Sequence, residues 1–121
     1  MTDKSILTDV KRLLSGISED SEAFDEELII FINGVFSVLL QLGVPFSKEP
    51  WISDSEDTWK DFFGENDNIN FIQTYVFLKV KLVFDPPSSS TVIQSYENQI
   101  KELEWRINAE GDFKQEENQN E

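Results

Sequence analysis

Apolar residues recur at intervals of three and four along most of this 121-residue chain, and this spacing constrains the fold more than any other feature. Such a period places one face of an α-helix in a core. The clearest case lies near the C-terminus, where the spacings are three, four, three and four: Ile93, Tyr96, Ile100, Leu103 and Ile107. The pattern predicts an all-α fold in which helices pack along one another.

Glycines and prolines divide the apolar stretches into about five predicted helices. Gly16, Gly43 and Gly64 each follow one stretch and supply a helix end. Residues 44–53 contain two prolines and predict an irregular loop. The predicted helices are Ser5–Ser15, Ala23–Leu42, a short helix carrying Trp59, Phe62 and Phe63, Ile69–Phe84, and Thr91–Ala109.

The starts of two helices carry recognisable capping residues. Ser53 and Glu56 form a candidate capping box for the short third helix, in which Trp59 is expected to plug the core. Ser21 is a candidate N-cap for the second helix, within an acidic stretch where the helix dipole favours anions. A site for a metal or a cationic partner is the alternative interpretation of this stretch, but no ligand spacing supports a metal there.

The fourth apolar stretch ends at the sharpest break in the chain. Val80 and Val83 carry β-propensity, so a strand over Tyr75–Phe84 is an alternative. The length of the run and its lack of alternation favour a helix. Asp85 then precedes Pro86 and Pro87, which disfavour helical geometry, so this joint is expected to set the direction of the last helix.

The chain length fits one hydrophobic core. Residues 1–109 are expected to form a single helical domain. Residues 110–121 contain five acidic residues, one lysine and almost no apolar residues, so this tail is expected to be disordered in the free protein. The predicted fold is therefore an all-α, single-domain bundle of about five helices with an irregular Pro-containing loop and an acidic tail.

Composition argues against catalysis and against cofactors. The chain has no cysteine and no histidine, which removes thiol nucleophiles, structural zinc sites and the commonest general base. No phosphate loop or catalytic set is present, so we expect no enzyme activity, no cofactor and no metal. The acidic residues near Asp57 and Glu102 are interpreted as solvated helix faces.

Charge and hydropathy limit the partners and the compartment. The net charge of -14 predicts repulsion from duplex DNA rather than sequence-specific binding. The apolar run Leu28–Leu42 has fifteen residues, fewer than the roughly 20 that span a membrane. Met1 to Ser5 lack the basic start and apolar core of a signal peptide, so we expect an intracellular product, made in the cytoplasm, rather than an exported one.

Surplus apolar surface points to protein contacts. Phe46, Trp51, Trp105 and Phe113 lie outside the predicted helical stripes, and aromatic side chains often anchor protein interfaces. The alternative is that loops fold back and bury them, which applies least to Phe113 in the acidic tail. The full set of expected interaction residues is Phe46, Trp51, Pro86, Pro87, Trp105, Arg106 and Phe113.

Two segments of the C-terminal half resemble a known family. Lys79–Ser90, with its Phe-Asp-Pro-Pro-Ser stretch, and Gln99–Arg106, with its Glu-Leu-Glu-Trp-Arg stretch, are similar to head-tail connector (neck adaptor) proteins of tailed bacteriophages. The Leu14–Ile17 turn, the Gln41–Val44 helix end and the Thr58–Phe62 segment also fit. The resemblance covers most of residues 5–109.

This resemblance implies a helical virion subunit that assembles as a twelvefold ring of neighbouring copies beneath the portal protein. Such a ring extends the DNA channel in the neck of the virion and offers a platform for a downstream neck or tail-completion protein. The resemblance also implies that the C-terminal helix and tail engage the portal. A different class remains open, namely a small acidic DNA mimic or regulator that sequesters a basic host or phage protein.

Overall fold

The computed structural model describes residues 4–14, 17, 18 and 20–119, with side chains described as far as Ala109. The described residues form five helices and contain no strand beyond one isolated bridge. The all-α prediction is therefore confirmed. The helices are α1 (Ile6–Arg12), α2 (Asp25–Gln41), α3 (Trp59–Phe63), α4 (Ile69–Phe84) and α5 (Ser90–Gln119).

Helix α1 is shorter than predicted. The Ser5 side chain caps it by accepting a hydrogen bond from the Thr8 amide at 3.2 Å. The helix ends at Arg12, because the Leu13 amide donates a hydrogen bond to the carbonyl of Val10, three residues back, at 3.1 Å. Ser15 and Gly16, the predicted end and stop, lie outside the described residues.

Helix α2 is the central core helix, as predicted. Its buried stripe consists of Leu28, Ile32, Val35, Phe36 and Leu39. Gly43, at φ 101°, supplies the left-handed turn that follows the helix. The predicted N-cap was wrong, because the cap position is Phe24 and the Ser21 hydroxyl instead accepts from the Ala23 amide at 3.3 Å.

Helix α3 has a capping box, but not the predicted one. Thr58 and Asp61 form it, each side chain accepting from the other residue's amide at 3.1 Å. Ser53 does not start the helix: its amide and that of Asp54 donate to the Asp57 carboxylate in a turn that precedes α3. Trp59 is fully buried, as predicted.

Helix α4 has the predicted bounds, and the strand alternative is excluded for this segment. Helix α5 begins one residue before its predicted start, and its backbone stays helical to Gln119 rather than ending at Ala109. The proposal that residues 110–121 are disordered in the free protein stays a prediction.

The helices pack in a fixed order: α4 lies between α2 and α5, and α1 packs on α2. One end of the core is aromatic, because Phe36 contacts Phe46, Phe62 and Phe63 with ring centroids 5.5–5.6 Å apart. Near the start of α2, the buried Lys11 ammonium pairs with Asp25 at 2.8 Å. These contacts hold α2 against α1, α3 and the loop that follows α2.

Candidate protein-interaction surfaces

Phe46 belongs mainly to the core. The Pro-containing loop turns its ring onto Phe36 and Phe63, at centroid distances of 5.6 Å and 4.9 Å. The ring is half-buried, so only part of it remains available to a partner. For this residue the loop does fold back on the core.

Trp51 is exposed, and the reason lies in its neighbour. The side-chain amide of Asn33 on α2 accepts a hydrogen bond from the Ile52 amide at 2.7 Å and donates one to the Ile52 carbonyl at 3.2 Å. This clamp holds Ile52 in the core at 2% exposure. The ring of the adjacent Trp51 stays at the surface, 53% exposed.

The joint between α4 and α5 is held from the α4 side. Asp85 caps the helix end with backbone that is no longer helical, and its carboxylate pairs with Lys81 one turn earlier at 2.9 Å. The Phe84 ring meets Phe31 of α2 edge-on at 5.7 Å. Pro86 is exposed and Pro87 half-buried, so the joint lies at the surface beside a fixed helix end.

The outer face of α5 presents Trp105, which is 71% exposed. Its neighbour Arg106 pairs with Glu102 at 2.9 Å, and the guanidinium lies 5.8 Å from the Phe71 ring of α4. Arg106 therefore helps to hold α5 on α4. Phe113 lies where the structure describes no side chains, and its expected role stays a prediction.

A cleft between α2, α4 and α5 was not predicted from the sequence. Its two adjoining parts share Phe31 and Lys79 and have volumes of about 270 Å³ and 360 Å³. The first part is lined by Ile30, Phe31, Gly34, Val35, Val38 and Lys79, and the second adds Leu82, Val83, Glu97, Ile100, Lys101 and Glu104. Ile30 and Val83 are 72% and 56% exposed there, so the cleft presents apolar surface to solvent.

A signal for this cleft was present in the sequence. Ile30 lies off the main stripe of α2, and the apolar face of that helix is wider than burial against one neighbour requires. Gly34 lies one turn further along, between Ile30 and Val38. A Cβ at Gly34 would meet no atom within 4 Å, so the space above it is open.

One polar contact lies behind the cleft. The Tyr75 hydroxyl donates to the Glu104 carboxylate at 2.8 Å and joins α4 to α5. Burial, together with this hydrogen bond and the charge of Glu104, raises the pKa of Tyr75 far above its ordinary value. No base or nucleophile accompanies this hydrogen bond among the contacts that the structure describes, and we interpret it as a structural link between α4 and α5.

The described residues show no arrangement suited to metal binding or membrane insertion. No three acidic side chains among them come together as metal ligands. None of their helices combines the length and the apolar character that crossing a bilayer requires.

Comparison with known proteins gives one match. No curated protein and no solved structure is similar to the chain. A family model described as phage connector protein matches residues 6–114, which include α1 to α4 and most of α5. The chain therefore belongs to the phage connector protein family and has the structural role of a connector in a phage.

Proposed function

We propose that the protein is a head-tail connector subunit that forms a ring under the portal, extends the DNA channel and carries the next neck or tail protein. The observation that carries the proposal is the family match over residues 6–114. A twelvefold ring in the neck of the virion is the assembly that the resemblance of the C-terminal half implies. The alternative of a DNA mimic has no comparable support.

The distribution of exposed apolar groups supports several simultaneous contacts. Trp51 lies on the loop after α2, the cleft lies between α2, α4 and α5, and Trp105 lies on the outer side of α5. A ring subunit needs two different surfaces for its two neighbours and further surfaces above and below. The chain offers such separate surfaces within one small domain.

The charge of the chain suits a DNA conduit. A net charge of -14 on each subunit would repel phosphates and let DNA pass without adhering. Retardation assays at moderate salt should therefore show no DNA binding. Binding at low-micromolar concentration would contradict this part of the proposal.

The decisive experiment is co-expression with the portal protein of the same genome, followed by electron microscopy. The proposal expects a ring of this protein bound to one end of the portal. Absence of any portal-bound protein at saturating concentration would refute the connector assignment, and recovery of a basic host protein instead would favour the DNA mimic.

A further inference from the structure

We infer that the C-terminal arm of one copy docks into the cleft of a neighbouring copy. The arm is defined as residues 108–119 of α5, with Trp105 at its base. The inference rests on the self-association proposed above and names the two surfaces that meet. It directs the arm to a second copy of this chain, whereas the family resemblance directs the C-terminal segment to the portal.

The register of α4 and α5 shows that the arm extends past α4. Tyr75 meets Glu104, and Phe71 lies beside Arg106, so the two helices run antiparallel. Helix α4 begins at Ile69, only two residues before Phe71. From about Ala109 onward, α5 therefore has no α4 residue opposite it, and ten further helical residues extend about 15 Å.

The arm cannot fill the cleft of its own chain. Glu97, Ile100, Lys101 and Glu104 of α5 line that cleft, and the arm continues the same helix away from them. Folding back would require α5 to break. An arm that fills the cleft would therefore come from another molecule, and contact between two different surfaces of identical chains builds rings or filaments.

The two surfaces match in spacing. Ile30, Gly34 and Val38 are four residues apart along α2 and cover about 12 Å of helix. Trp105 and Ala109 are also four apart and share one side of α5, and the sequence carries Phe four residues further on. That side lies opposite the buried Leu103 and Ile107. Ridges of residues four apart are the commonest contact between packed helices, and Gly34 leaves room for one large side chain.

Charge also favours this pairing. The arm has a net charge of -3, which most of this acidic surface would repel. In the cleft, Lys79 and Lys101 balance Glu97 and Glu104. Neither lysine forms an ion pair within the part of the chain that the structure describes, and Glu104 is already bonded to Tyr75. The Lys79 ammonium lies 5.8 Å from the Tyr75 ring, and both ammonium groups lack a carboxylate partner that acids of an incoming arm could supply.

Gly34→Leu tests the inference without removing a core contact. Leucine at this exposed helix position should fold at least as well as glycine, because its helix propensity is higher and its Cβ meets no neighbour. It fills the cleft, so the concentration needed for half-maximal self-association should rise about tenfold or more. The matched control is Gln94→Leu, which adds the same side chain on α5 outside the cleft.

Cysteine cross-linking identifies the partners directly, because the chain has no native cysteine. A protein carrying both Gly34→Cys and Ala109→Cys should form a ladder of cross-linked oligomers, in solution or on the portal. A mixture of the two single variants should stop at dimers that contain one copy of each. A cross-link from Ala109→Cys to the portal, with none to Gly34→Cys, would overturn the inference.

The proposed function and this inference fail in different ways. If wild-type protein forms no ring on the portal, the connector assignment fails. If wild-type and Gly34→Leu proteins form rings equally well, or the double-cysteine ring yields no ladder, only the docking of arm into cleft is refuted.

Discussion

Replacement of Leu103 tests whether α5 is part of the folded body or an appendage. Leu103 is 9% exposed and lies between Ile100 and Ile107 on the side of α5 that faces α4. Full burial of a leucine stabilises a fold by about 1.5–3 kcal/mol, and the cavity left by alanine adds to the loss. We therefore expect Leu103→Ala to lower the free energy of unfolding by about 2–4 kcal/mol.

Leu103→Asp should cost more, about 4 kcal/mol or more, because it places an unpaired carboxylate in the same seam. In a domain of this size, the alanine variant should lower Tm by roughly 10 °C. The matched control is Trp105→Ala, two residues further along the same helix at 71% exposure, which should change stability by less than about 0.5 kcal/mol.

The assay is urea unfolding of the full chain, followed by circular dichroism and by hydrogen exchange of the α4 amides. Exchange separates loss of α5 alone from loss of the whole fold. Equal stability of the Leu103→Ala and Trp105→Ala proteins would show that the seam does not support the fold in solution.

Four further predictions follow from other contacts. Asp25→Asn, which leaves the Lys11 ammonium buried without its partner, should destabilise the protein by about 3 kcal/mol in urea unfolding, whereas Lys11→Met should cost about 1 kcal/mol or less. Burial and Glu104 raise the pKa of Tyr75 in the fold, so above the ordinary value near 10 the unfolded chain loses the Tyr75 proton before the folded protein does. The free energy of unfolding should therefore fall as the pH rises from 10. Tyr75→Phe should reduce this fall, as measured by unfolding at pH 8 and pH 11. Replacing both Pro86 and Pro87 with Ala should keep the monomer helical but weaken its co-sedimentation with the portal. The reason is that helix can then propagate across the joint, so that α5 loses its fixed direction. Equal co-sedimentation of the wild-type and double-Ala proteins would show that the joint is only a loop. Truncation after Ala109 should leave Tm nearly unchanged while abolishing self-association, and a large drop in Tm would mean that the arm is part of the core.

The helical period was sufficient to locate the helices but not their caps. Ile69–Phe84 was predicted to the residue, because a long apolar run ends at a proline pair. The cap of the third helix was predicted wrongly. Ser53 and Thr58 each precede an acidic residue by three positions, which is the capping-box spacing, so the spacing alone does not distinguish them. What separates them is the Asp57 side chain, which holds the amides before the helix, and such a turn is visible only in three dimensions.

For the candidate surfaces, too, the sequence predicted some features and missed others. Trp105 lies off the heptad-like seam, but the sequence left open whether it is exposed or covered by a loop, and the structure shows it 71% exposed. Phe46 and Trp51 were equivalent in the sequence, yet one ring packs on Phe36 and the other faces outward. The Asn33 clamp on Ile52 decides between them, and it joins residues nineteen apart that carry no local signature. The cleft was missed because it is formed by three helices together.

The starts of α1 and α3 are joined, and this affects how the chain folds. The Ile6 amide donates to the Asp57 carbonyl at 3.0 Å and the Trp59 amide to the Lys4 carbonyl at 3.2 Å, so the two N-caps, Ser5 and Thr58, face each other. A five-residue helix is too short to persist alone, and closing the long loop between the caps has an entropic cost. Helix α3 should therefore form late, and only when the N-terminal segment is in place. The Ile6 and Trp59 amides should consequently open to exchange as one cooperative unit.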